Sequence, residues 1–198
     1  MINIFRVVIL ALLFSCAHAS NYDYAFNVLL KYEGVIYHDN PKDPGGPTKY
    51  GWTLKSYRGT VSRSATKETI KGITEAQAKN LYKKHWWKKY KANKIKSKRL
   101  ATTLFLAQIN MGPYRPNKVL QTMTNDLCDT KLNVDGVLGT RSLRAINNCY
   151  RLPEGYPYYL HLTYLNDPEI APVWNWAKKG LRNRIFHIHI PGTSLCLD

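Results

Sequence analysis

Between residues 34 and 51 the chain carries Gly34, Pro41, Pro44, Gly45, Gly46, Pro47 and Gly51. That density of prolines and glycines excludes a helix, because each proline removes a donor and each glycine adds backbone entropy. What precedes it is the opposite. Phe26, Leu29, Leu30 and Glu33 fall at i, i+3, i+4 and i+7, one face of a helix that starts at Asn21 or Tyr22 and runs to Glu33. Gly34 is its stop signal. Past the prolines, Lys49-Tyr50-Gly51-Trp52-Thr53 alternates as a short strand or hairpin does. The chain is therefore expected to leave a helix abruptly, cross a stiff loop and enter a small β element.

The remainder reads as helical. Thr74-x-x-Gln77 is a capping box that opens a helix through Ala78, Leu81, Tyr82 and Trp86. Residues 100–109 and 118–127 carry two more helical patterns, separated by Gly112, Pro113 and Pro116. Asp135-Gly136 is a turn, and Gly139-Thr140 caps a helix through Leu143 and Ile146. Aromatic-rich helical segments follow at residues 156–165 and 172–186. No internal repeat and no linker is visible.

The first 19 residues constrain where the protein works. Arg6 precedes an apolar run over residues 7–14, and Ala17-His18-Ala19 is a small-x-small cleavage site, the pattern of a signal peptide. The run is short for a membrane span, and no later segment is apolar enough for one. A secreted or periplasmic product is expected, and export permits disulfides. Cys128 and Cys149 stand at the ends of apolar helical patterns and are expected to pair, with Cys196 either free or competing for Cys149. His187-x-His189 is the one close histidine pair and reads as an extended polar edge, so neither a metal nor a cofactor is expected.

Charge narrows the partners. Twenty-nine Lys and Arg against 13 Asp and Glu give +16, and loss of Arg6 with the leader takes this to +15. Nine of the basic residues fall within residues 83–99, interleaved with Trp86, Trp87 and Tyr90, and no acidic residue lies between Glu75 and Asp126. Such a surface attracts polyanions. Basic and aromatic residues together also suit nucleic acid, but no nucleic-acid module is visible and an exported chain rarely meets one. An anionic cell-wall surface is the partner expected, with no nucleic acid.

Glu33 is the most informative single position. It shares the buried Phe26/Leu29/Leu30 face and sits where the helix dipole is negative. Both features disfavour the charged form, and a carboxylic acid kept protonated is what a general acid requires. A solvated helix end is the plain alternative. Asp39, Asp43 and Thr48 follow in the stiff loop. A protonated acid facing a carboxylate and a hydroxyl is a kit for hydrolysing an acetal, although Asp39 and Asp43 also suit turns that support a Pro-rich loop.

Glu33-Gly34 followed by Asp39-x-Pro41-x-Asp43-Pro44-Gly45-Gly46-Pro47-Thr48-x-Tyr50-Gly51 closely resembles the catalytic motif of glycoside hydrolase family 108, phage-type N-acetylmuramidases with a helical lysozyme-like fold. Asn110-x-Gly112 and Gln121 resemble that family's mid-chain helix pair. Residues 134–139 and 176–184 resemble the peptidoglycan-binding region that usually follows. The resemblance implies a mainly α, lysozyme-like fold with a small β-hairpin next to the catalytic Glu. It implies Glu33, Asp43 and Thr48 as the catalytic set, with Asp39 as the alternative water-holding carboxylate. Asn110 and Gln121 then belong with substrate binding, while Tyr50 and Trp52 either stack on sugar rings or fill the hairpin core. Val35 and Gln108 depart from the family pattern, which commonly has a second glycine and an Asp there.

The expectation is a monomeric, exported hydrolase of the β-1,4 bonds of peptidoglycan glycan strands. Residues 1–19 form the leader, 20–112 the lysozyme-like region, 113–190 a helical peptidoglycan-binding-like region packed in the same fold, and 191–198 a tail. A non-catalytic wall-binding protein is the second reading. A membrane-active or nucleic-acid-binding basic protein is the third.

Overall fold

The computed structural model describes residues 20–41 and 43–166. The leader, the segment at 172–186, His187, His189 and Cys196 lie outside them. The first helix, α1, spans Asn21–Tyr32 and is opened by a capping box in which Ser20 and Asp23 satisfy each other's backbone donors. Asp23 also pairs with Lys79 at 2.7 Å. The Lys79 and Ser20 hydrogen bonds hold its carboxyl down at about 2.

Two two-residue strands follow, β1 (Thr48–Lys49) and β2 (Trp52–Thr53), paired antiparallel with Thr48 opposite Thr53. The connecting residues Tyr50 and Gly51 have φ of 51° and 74°, as a type I′ turn demands at both central positions. His38 extends the ladder by bridging to Thr48. Helices α2 (Leu54–Thr60) and α3 (Lys67–Lys71) come next. Neither has apolar periodicity to announce it in the sequence. Thr53 and Thr66 cap them by accepting backbone N–H bonds.

Helix α4 (Glu75–Tyr82) opens on the expected Thr74/Gln77 box and continues directly into a π-helical turn, Lys83–Lys88. A 3-10 turn, Ala92–Lys94, leads to α5 (Lys98–Met111). Helix α6 (Tyr114–Cys128) begins four residues before the expected 118. Pro116 does not break it, because in the first turn the missing N–H would have no partner anyway. Helices α7 (Thr140–Asn148) and α8 (Leu152–Asn166) complete the described chain. The result is mainly α, with its small hairpin beside the end of α1.

Helix α5 is the centre of the packing. Every residue from 100 to 108 is buried; α1, α6 and α8 all pack against it. Tyr22, Phe26, Tyr82, Trp87 and Phe105 meet in one aromatic cluster with centroid separations of 5.4–6.2 Å. Edge-to-face pairs of this kind add stability beyond their buried area.

Beneath it runs a buried amide network. Gln108 Nε2 donates to Tyr90 O at 3.0 Å and to Asn117 Oδ1 at 2.9 Å, and Asn117 Nδ2 donates to Gly136 O at 2.9 Å. Gly136 N donates to Gln121 Oε1 at 2.7 Å. Gln121 Nε2 lies within 2.9–3.3 Å of Asp135 Oδ1, Val137 O and Ser142 Oγ.

A disulfide joins Cys128, the last residue of α6, to Cys149, the C-cap of α7, across a sequence separation of 21. Closing a loop of that size stabilises by about 3 kcal/mol in the chain-entropy model. Peptide mapping without reduction should recover a linked 128/149 peptide, and reduction should lower the denaturation midpoint. A free Cys128, or a bridge from Cys149 to Cys196, would overturn the pairing.

Candidate active site

Glu33 stands one residue past α1, as its C-cap. Its N–H still donates to Leu29 O at 2.9 Å, while φ −91° and ψ 129° turn the chain out of the helix. The side chain consequently leaves the Phe26/Leu29 stripe and is half-buried rather than buried. It reaches the hairpin turn. A methyl carbon on Gly51 would lie 3.0 Å from both Cγ and Oε2 of Glu33, and 2.6 Å from Tyr82 Oη. Only a glycine lets the carboxyl, the phenol and the turn come this close.

In the sequence Tyr82 stands out only as part of a helix. It is 2% exposed, and its hydroxyl donates to Tyr50 O at 3.1 Å. That bond holds Tyr50 in a left-handed conformation that side chains other than glycine rarely adopt. The signal that could have found it is its place on the buried α4 face with Ala78, although it stands 32 residues from the Tyr50 carbonyl it serves.

The loop binds Asp43 and Thr48 into one unit. Asp43 Oδ1 accepts from Gly45 N at 2.8 Å, and Asp43 O accepts from Gly46 N at 2.9 Å. Thr48 Oγ1 in turn donates to Gly46 O at 2.8 Å. With its proton committed there, the hydroxyl of Thr48 keeps lone pairs to accept from a further donor. Asp39 is exposed and pairs with Lys67 of α3 at 3.7 Å. Its charge, after loss of solvent, contributes to pushing the Tyr37 phenol up.

The other named residues divide. Tyr50 is half-buried at the turn, with Lys49 Nζ 5.5 Å from its ring centroid. Asn110 is half-buried near the end of α5. Trp52 is 2% exposed and packs on Tyr82 at 5.1 Å and Tyr57 at 5.9 Å, so its ring belongs to the core and has no face for a sugar. Gln121 is likewise fully buried, and both ends of its amide are engaged by the 135–142 segment. Its position corrects the expectation of substrate contact: it clamps a turn. A groove of about 430 Å³ runs along Glu33, lined by Leu30, Tyr32, Val35, Ile36 and His38.

Gly51→Ala should destabilise the fold by about 1–3 kcal/mol more than Gly46→Ala. Both glycines have φ of 74°, but at Gly46 the nearest atom to an added methyl is Leu54 Cβ at 3.9 Å. Chemical denaturation of the two variants measures the difference, and adding Tyr82→Phe to Gly51→Ala should recover part of it. Equal losses at both glycines would show that the close approach to Glu33 and Tyr82 is slack.

Comparison with known proteins bears on this arrangement. No curated protein matches the chain. Among solved structures, SagA of Brucella abortus is similar with a TM-score of 0.65 at 23% identity, over 87% of this chain and 98% of that one. The two share a fold, and the mainly α, lysozyme-like arrangement expected from the sequence is the one observed. Most of α1, the Pro/Gly loop, the hairpin and α5 fall within a single matched segment. Over residues 26–112 the chain matches the glycosyl hydrolase 108 family.

Proposed function

We propose that this protein is an exported peptidoglycan hydrolase, a lysozyme-type N-acetylmuramidase that cleaves β-1,4 bonds of the wall glycan. The observation that carries the reading is the half-buried Glu33 carboxyl, set against the hairpin turn at Gly51 within the segment matching a glycosyl hydrolase family. In this reading Glu33 gives its proton to the glycosidic oxygen as the bond to the anomeric carbon breaks. Asp43 takes a proton from the attacking water, and Thr48 accepts a hydrogen bond that orients it. Asp39 is the less favoured carboxylate, because it is exposed and turned toward Lys67 of α3, whereas Asp43 is tied through Gly46 to Thr48. Residues 1–19 act as a cleaved leader in this proposal, and the region from 113 to 190 holds the protein on the wall. The Cys128–Cys149 bridge is in keeping with an oxidising location. Among the described residues no helix is long and apolar enough to cross a membrane.

The basic stretch supports the same reading. Lys88, Lys89, Lys91 and Lys94 are all exposed, on and just after the π-helical turn. Their charge is free to draw the protein to an anionic polymer without a role in the core.

Glu33→Gln should lower wall clearance by about 10²–10⁴-fold with unchanged folding, since it removes a transferable proton and almost no volume. Mass spectrometry of fragments released from purified walls by the two proteins reads both rate and bond. A Gln variant that keeps most of its clearing rate means that Glu33 is not the acid.

Clearance of walls should also fall steeply with salt, because attraction of exposed charges is screened beyond about 8–10 Å at physiological ionic strength. Neutralising Lys88, Lys89, Lys91 and Lys94 together should flatten that dependence. If the slope against salt is the same for both proteins, the stretch has no part in reaching the wall.

A further inference from the structure

A second cavity, of about 380 Å³, opens beside the disulfide, far along the chain from Glu33 and sharing no residue with its groove. Its charged lining is entirely basic: Lys131, Arg141 and Arg144, with Asn148 as a neutral donor, while the Thr130 hydroxyl donates to Asn125 Oδ1 at 2.8 Å. Its floor is apolar, made of Leu132, Ala145 and Cys128. Among the described residues, none of the three cations forms an ion pair. Arg141 is held in place by a bond from its Nη2 to Lys131 O at 3.0 Å.

Helix α7 would be more stable without this arrangement. Arg141 is the second residue of the helix, where the positive end of the dipole disfavours a cation, and no acidic residue occupies that first turn. Arg144 lies at i+3 from Arg141, so two like charges share one face. Ala145 and Asn148 continue the same face into the cavity. Local rules broken together, around one concave surface, mark a place kept for a ligand. The disulfide pins the end of α6 to the end of α7 and so fixes two walls of the cavity relative to each other.

We propose that this cavity binds a carboxylate of a peptidoglycan peptide stem, giving the protein a second hold on the wall apart from the glycan. The guanidinium groups of Arg141 and Arg144 match a carboxylate's two oxygens, and Lys131 adds charge. The apolar floor decides between anions. A wall peptide brings methyl groups next to its carboxylates, whereas a polyol phosphate chain, in which every carbon of the repeat carries an oxygen, has no methyl group to set against Leu132 and Ala145. The inference rests on the reading of peptidoglycan as substrate, but it requires nothing of Glu33.

The test is a titration of the full mature protein, followed by NMR, with a soluble stem peptide freed from its glycan. A second titration uses the same peptide with its carboxyls amidated, and a third uses poly(glycerol phosphate). The free-acid peptide should shift signals from residues around Arg141 and Arg144. Arg144→Gln should weaken it by about tenfold, the effect of one lost hydrogen bond to a charged group. Arg144 carries no other hydrogen bond among the described residues, so this variant should fold; Lys131→Gln provides an independent loss of charge. Equal binding of the amidated peptide, unchanged affinity of both variants, or binding of the phosphate polymer in place of the peptide would each overturn the proposal. Failure here, with Glu33→Gln still inactive, leaves the hydrolase reading standing. Binding that depends on Arg144 in a protein that releases no sugar fragments from purified walls would sink the hydrolase reading alone.

Discussion

Burial of α5 on all sides is the constraint from which the rest of the described structure follows. A helix whose residues 100–108 all lie inside has no polar face to give to water, so other helices must surround it. Tyr22, Phe26 and Leu29 of α1 supply one side of that cover. With that face committed to α5, the direction in which α1 ends is also fixed, and Glu33 emerges where the chain turns out of the helix. The position of the carboxyl is thus decided by hydrophobic packing along α1, and only trimmed locally by the turn at Gly51.

The hairpin is too small to hold itself. Two pairs of residues give a ladder that would be marginal in water. It persists because it is tied on three sides: His38 adds a bridge, Tyr82 grips the carbonyl of Tyr50, and Trp52 plugs into the aromatic cluster. Asp43, Gly46 and Thr48 bind the preceding loop to its base. Stiffness of this kind suits a site that must hold a water and a proton donor in fixed positions.

Much of this was legible in the sequence, for identifiable reasons. The exit from α1 was readable because Gly and Pro change backbone freedom in a way no context reverses, and the Thr74/Gln77 box because capping is a local exchange of hydrogen bonds. Helices α2 and α3 were not, since each is short and mostly polar and owes its existence to one threonine cap and to its neighbours. The facing of Trp52 could not be read from a two-residue strand, whose alternation does not say which side is inside. Gln121 was misleading for a different reason. A glutamine on an amphipathic helix looks like surface, and only the folded chain reveals that the 135–137 turn and Ser142 of α7 supply its partners. The Tyr82 phenol and the Glu33 carboxyl come together through tertiary packing that no local pattern encodes.

The amide network under α5 has a consequence for how α6 can sit. An apolar contact is forgiving: a helix slipping by one residue exchanges one hydrocarbon surface for another. One residue of slip is also about 100° of rotation. Here such a slip would carry Asn117 and Gln121 away from Gly136 and strip the amide of Gln108 of its bond to Asn117, leaving it only Tyr90 O. Each stranded buried group costs roughly 1–3 kcal/mol. The three side chains therefore behave as a key cut for one rotational setting of α6, and the oily surfaces around them supply adhesion without direction.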